Sequence, residues 1–215
     1  MAGIESPTTG NGVEINSAQR AMRIADYPVE VGGWISIGAQ SGAITATAAA
    51  APLFSLRNIS TKLILVRRIG AGLIATTGFT AAQKVDLGLI VARGFSASDT
   101  GGTVIALSGS NGKHRTTLNT PAAIDLRIAS TAALGAGTRT LDANTLAQVA
   151  GYAGAATVGT LIAPAANNLF AHDTGDYPLI LAQNEGLIIQ SLTAFGAGGI
   201  ASLYANIEFA EVDLF

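Results

Sequence analysis

The 215-residue chain contains no cysteine, which removes disulfides and thiolate metal sites from its stability and its chemistry. Charge is scarce as well: only 12% of residues are Asp, Glu, Lys or Arg, against roughly 25% in an ordinary soluble domain. A surface so thin in charge is sticky unless neighbouring subunits cover it, so the composition points toward assembly. With a net charge of −2 there is no general basic face, and nucleic acid is not an expected partner. Aromatics amount to 6%, few for a carbohydrate- or receptor-binding sandwich that displays several rings on its loops.

Other absences concern membranes and export. The opening "MAGIESPTTGNGVE" has neither a basic start nor an apolar run, so no secretory leader is expected. Residues Val31 to Leu56, Ala143 to Ala171 and Gly186 to Ile207 carry no charge and are long enough to span a bilayer. Each is interrupted at close intervals by Gly, Thr, Ser, Asn, Gln or Pro, so no membrane partner is expected either.

What the chain does have is small residues and period two. Gly (26) and Ala (40) supply almost a third of it, and its length suffices to bury about 70% of the surface its unfolded form exposes. In "VDLGLIVAR" Val85, Leu87, Leu89 and Val91 share a face, and in "AIDLRIA" Ile124, Leu126 and Ile128 do so opposite Asp125 and Arg127. In "IASLYANIEFAEVDLF" Leu203, Ala205, Ile207 and Phe209 face in while Tyr204, Asn206 and Glu208 face out. The parity slips at Ala210-Glu211, as at a bulge or strand end. Further strands are expected at 53–57, 63–69, 104–108, 178–182 and 187–192.

Turn clusters separate these runs: "SASDTGG", "GSNGK", "STAALGAGT", "HDTGD", "QNEG" and "FGAGG". Asn111-Gly112 carries the strongest hairpin signal, "FGAGG" reads as a hairpin loop, and Asp142 to Gly154 has the makings of a short capped helix. Short strands with frequent turns over one continuous stretch imply an all-β chain, an antiparallel β-sandwich or jelly roll over residues 31–215. Residues 1–30 hold too little apolar material for a core and are expected to form an extended N-terminal arm, with room for one helical turn around Ser17 to Ile24.

Asp-Thr-Gly occurs twice, at Asp99 to Gly101 and Asp173 to Gly175. A paired-aspartate protease uses two such loops to make carboxylates share one proton. Here Asp99 follows a polar lead-in, Asp176 would bring a third carboxylate to the dyad, and no apolar-apolar-Gly segment backs either loop. Both copies therefore read as turns, with a backbone amide and not Asp173 as the expected partner of Asp99. His114 and His172 lack a third ligand for zinc. "FGAGGI" lacks the flanking strand and helix of a dinucleotide site. Clustered turn acids such as Asp99, Asp173 and Asp176 make only a weak calcium case. The expectation is a chain with no enzymatic activity, cofactor or metal. Lys62, Arg67 and Arg68 form one basic cluster, read as polar positions of a strand, and Lys113, His114 and Arg115 read as a solvated hairpin end.

The segments "DLGLIVARGFSASDTGGTVIALSGSNGKHRT", "DLRIASTAALGAGTRTLD", "PLILAQNEGLIIQ" and "ANIEFAEV", in that order over about residues 53–212, resemble tailed-bacteriophage virion structural proteins of the jelly-roll decoration or cement kind. The resemblance implies a subunit that stabilises the head shell, with the major capsid protein and further copies of itself, as dimer or trimer, for partners. It implies assembly in the host cytoplasm and residence in the virion. The arm, through Arg20, Arg23, Tyr27 and the single tryptophan Trp34, is then the expected partner-binding region, with the capping of its own sandwich as the equal alternative for Trp34. The second reading is a receptor- or carbohydrate-binding β-sandwich of a head or tail fibre.

Overall fold

The computed structural model describes residues 15–16, 21–22, 33–108, 112–121, 123–156, 161–163, 168–171, 178–196 and 198–213. All secondary structure among them is β. A short pair, β1 (Ile15–Asn16) and β2 (Ala21–Met22), precedes the body. Ala21 and Met22 are extended and paired with β1; the rest of Ser17 to Ile24, where a helical turn is expected, lies outside the described residues. The body comprises β3 (Ile35–Gln40), β4 (Pro52–Asn58), β5 (Leu63–Thr77), β6 (Gln83–Ala97), β7 (Thr103–Val104), β8 (Ile124–Ile128), β9 (Thr138–Leu141), β10 (Ala147–Ala153), β11 (Leu161–Ala163), β12 (Asn168–Ala171), β13 (Leu179–Leu181), β14 (Gly186–Ser191) and β15 (Ile200–Val212).

Two antiparallel sheets face each other. One runs β3-β15-β5, with β13, β12 and β11 ranged in turn along the far edge of β5. The other runs β7-β8-β4-β14-β6, with β10 and β9 along the far edge of β6. From β3 to β6 each strand crosses to the opposite sheet. β9 and β10 stay with β6, β11 to β13 return, β14 crosses, and the last strand, β15, inserts between β3 and β5. That order of two interlocked Greek keys is a jelly roll, with β7 and β8 as an extension beyond β4.

The crossings correct two turn assignments. "FGAGG" is not a hairpin loop: it carries the chain from β14 in one sheet to β15 in the other, with Phe195 bridged to Thr47. Nor does Asn111-Gly112 close a hairpin. Asn111 lies outside the described residues, Gly112 takes a φ of +69°, and Lys113 bridges Ile35 of β3 while β7 pairs with β8. The segment Asp142 to Gly154 holds the strand β10 and no helix, because its alternation satisfies β6 in register from Ala147↔Leu89 to Ala153↔Gln83.

The core fills the space between the sheets. In β15 the four inward residues are buried and Tyr204, Asn206 and Glu208 are not, as the alternation requires. At Ala210-Glu211, where a bulge or strand end is expected, β15 instead runs on in register to Val212; the nearby bulge lies on β5, where Glu208 faces Arg68 but Phe209 faces Val66, so that Arg67 is the extra residue. The half-buried reading fails for β6, in which Val85 to Ala92 are buried on both faces. Leu192 and Thr145 lie over Gly88, and Ala92, Phe95, Ile188 and Leu141 make a second small core outside the sheet.

Asp86 shows what burial on that outer face demands. Its carboxylate pairs with Lys84 at 2.7 Å and accepts hydrogen bonds from the Thr193 amide (2.8 Å) and hydroxyl (2.6 Å). Burial alone would raise its pKa, but the hydrogen bonds from Lys84 and Thr193 outweigh it and the net shift is downward. A lowered carboxylate contributes stability that is full above about pH 4 and is lost as acid protonates it. Asp86→Asn is therefore expected to cost about 1–2 kcal/mol at neutral pH and distinctly less at pH 3, by urea unfolding at both. An equal loss at the two pH values would refute this assignment.

Candidate functional site

The outer face of the β3-β15-β5 sheet carries a concavity. A pocket of about 500 Å³ is lined by Ser36, Ile37, Gly38, Arg68, Gly70, Asn168, Asn206, Ile207 and Glu208. A second, of about 450 Å³, is lined by Gly38, Ala39, Gln40, Ile74, Tyr204 and Asn206. They share Gly38 and Asn206 and form one groove.

Register explains the groove. Asn206 lies opposite Gly38 on one side and Gly70 on the other, and Gly70 lies opposite Asn168, so one row across four strands alternates glycine with asparagine. The flanking rows are Ser36–Glu208–Arg68 and Gln40–Tyr204–Gly72. Glycine leaves the trench open: a Cβ on Gly38 would sit 3.0 Å from the Asn206 carboxamide oxygen.

One end of the groove is built by the bulge. Because Arg67 is the extra residue, both it and Arg68 stand near Glu208. Arg67 binds Glu208 at 3.2 Å and lies over the Trp34 ring at 5.5 Å from its centroid. Trp34 is half-buried, and its carbonyl accepts a hydrogen bond from the His114 amide, while His114 Nε2 and Ser36 Oγ share one of 2.7 Å. Lys113 donates to Thr120. The Lys113–Arg115 segment is thus anchored along the edge of β3 and does not end a hairpin. Arg68, by contrast, is exposed and has no partner among the described residues. The side chains of Gln40, Asn168, Asn206 and Tyr204 likewise make no hydrogen bond among those residues.

The structure brings Trp34 to the rim of this groove. Arg20, Arg23 and Tyr27 lie outside the described residues, as do His172, Asp173 and Asp176. Among the described residues no three His, Asp or Glu side chains are grouped to hold a metal, and no helix is long and apolar enough to cross a membrane.

Asp99 is not a surface turn residue. Its carboxylate is wholly buried, accepts a hydrogen bond from the Gly137 amide at 2.7 Å and pairs with Arg139, itself only 5% exposed. The backbone amide agrees with the expectation from sequence; Arg139 had no signal there, because it arrives from a strand forty residues on. Burial holds the Arg139 guanidinium below its ordinary pKa. Arg139 and Arg57 both lie over the Phe95 ring, at 5.2 and 5.9 Å. Arg57 also donates to Ser98 Oγ and the Ser96 carbonyl. Thr100 and Gly135 exchange two backbone hydrogen bonds. A carboxylate so held neutralises a cation and fixes a loop; it is not available to share a proton with a second aspartate.

No protein-family model and no curated protein matches the chain. Among solved structures it is similar to VP17, a capsid protein of bacteriophage P23-77, at 11% identity over 86% of this chain and 100% of that one, with a TM-score of 0.14. So low a score carries no argument about fold or role, and the jelly-roll assignment rests on the strand order.

Proposed function

We propose that this protein is a structural subunit of a bacteriophage virion, a decoration or cement protein that stabilises the head shell. It acts without catalysis, as a homo-oligomer on the major capsid protein, with neither nucleic acid nor membrane as partner. The observation that carries the reading is how the few charges are spent. Lys62–Asp213, Arg67–Glu208, Lys84–Asp86, Arg93–Glu185, Arg127–Asp125 and Arg139–Asp99 are ion pairs within the subunit. Among the described residues the rest of the exposed surface is mostly Ala, Thr, Ser, Gly and Asn, with Val104 and Tyr152 55% and 67% exposed.

Such a surface is poor at keeping a lone subunit apart from its neighbours and well suited to burial against copies. Many weak interfaces repeated by symmetry sum to a stable shell. In this reading the arm of residues 1–30, with Arg20, Arg23 and Tyr27, and Trp34 beyond it, bridges subunits. The sequence resemblance supports the same role.

Deleting residues 1–30 is expected to abolish binding to capsids that lack the protein and to lower the subunit's mass in light scattering. If both are unchanged, the arm does not mediate assembly and the proposal fails in that form.

A further inference from the structure

We infer that the groove on the outer face of the β3-β15-β5 sheet binds a stretch of an acidic polysaccharide. This goes beyond the shell-building role and does not depend on it. Three features of the groove carry the inference.

The first is uncommitted hydrogen-bonding capacity in one place. The carboxamides of Gln40, Asn168 and Asn206 and the Tyr204 hydroxyl make no hydrogen bond among the described residues, yet all line the same trench. A carboxamide offers two donors and a two-lone-pair acceptor on one plane, which matches the adjacent hydroxyls of a sugar, each able to donate and accept.

The second is charge. Glu208 is neutralised by Arg67, so the remaining charge among the described lining residues is the exposed Arg68 guanidinium, a fork that recognises a carboxylate through two parallel hydrogen bonds. The ligand is therefore anionic as well as hydroxyl-rich. Scarcity of aromatics is offset because amides and one guanidinium, with Tyr204 as the ring among the described lining residues, do the recognising.

The third is shape. The trench crosses the strands from the edge strand β3 to β12, a width of roughly 14 Å at the usual strand spacing. That length accepts several sugar units of a chain in passing, and Gly38 keeps the floor low enough for a ring to lie in it.

Calorimetric titration of the full-length protein with trigalacturonate tests this, with maltotriose and galacturonate monomer as comparisons. Trigalacturonate is expected to bind at least about tenfold more tightly than either, since each carboxylate contact and each added unit contributes on the order of 1.4 kcal/mol, one factor of ten. Arg68→Ala and Asn206→Ala should each weaken it by about the same factor without shifting the melting temperature. Gly38→Val should abolish it by filling the trench; should that variant not fold, Asn206→Ala carries the test. The inference is overturned if trigalacturonate does not bind, if the monomer or maltotriose binds as well, or if Arg68→Ala has no effect. It is also overturned if a synthetic peptide of residues 14–32 occupies the groove in place of the sugar, which would make the trench the seat of the arm. Capsid binding by the arm deletion is read separately, so loss of one proposal leaves the other standing.

Discussion

Asp99→Ala is expected to lower the free energy of unfolding by about 3–5 kcal/mol, the cost of leaving a buried partner charge uncompensated. The Asp99 side chain is fully buried, and the side chain of Arg139, on β9, is nearly so. Without the carboxylate, Arg139 retains, among the described residues, the face of Phe95, and the Gly137 amide loses its acceptor. The loop cannot relax to readmit water cheaply. Arg57 ties it to Ser96 and Ser98, and Thr100 and Gly135 latch it by two backbone bonds. Gly137 itself packs so closely on Ala97 and Ser98 that a Cβ there would run into their backbone.

The pair as a whole is worth much less than either half. Asp99→Ala combined with Arg139→Met should therefore recover most of the loss, to within about 1–2 kcal/mol of the parent. Urea unfolding of the parent, the two single variants and the double variant measures this directly. A single-variant loss under about 1 kcal/mol, within the range of an exposed pair, would show that the ion pair is not desolvated as described. A double variant no better than Asp99→Ala would show that the loop needs the charge itself.

Phe79→Ala should be comparably severe, at about 3–5 kcal/mol. The ring is fully buried, meets Phe195 edge-to-face with centroids 6.3 Å apart, and is pressed by Gly199, where a Cβ would enter the ring. Three separate stretches converge on this point. The Phe79 carbonyl accepts from the Ala156 amide, Thr47 and Phe195 exchange backbone hydrogen bonds, and so do Ile44 and Ala201. Those bonds hold the walls apart, so the cavity left by alanine stays open and the lost contacts are not recovered. Phe79→Leu, which fills more of the space, should lose about half as much or less. Thermal unfolding of both variants checks the order, and equal melting temperatures for the two would exclude a packing role for the ring.

These two sites differ in how visible they are in the sequence. Phe79 stands in "TTGFTAAQ", an apolar residue among small and polar ones, with nothing to mark Phe195 as its neighbour. Asp99 was visible as a residue satisfied by a backbone amide, because an Asp in "SASDTGG" bonds locally whatever the fold. That it is buried against a guanidinium was not visible, since contact between β6 and β9 depends on how the intervening chain is folded. The groove was partly legible. Alternation put Tyr204, Asn206 and Glu208 outward, and they are outward. Their union with Gln40, Arg68 and Asn168 required the register of four strands drawn from distant parts of the chain.

Sequence alone suffices for what is local: the all-β class, the inward and outward faces of β8 and β15, and the low charge content. Side-chain alternation, turn chemistry and composition act over a few residues and survive any rearrangement of the strands. Which strands are neighbours depends on packing over the whole chain. The Gly-rich "FGAGG" implied a hairpin, yet it carries the chain from sheet to sheet, as do the connections from β3 through β6, and β15 closes the fold beside β3. The double burial of β6, the strand at 147–153, the Asp99–Arg139 pair and the trench over Gly38 all follow from those crossings. A crossing is rewarded by apolar area buried between sheets, a sum over the whole core that no short window of sequence contains.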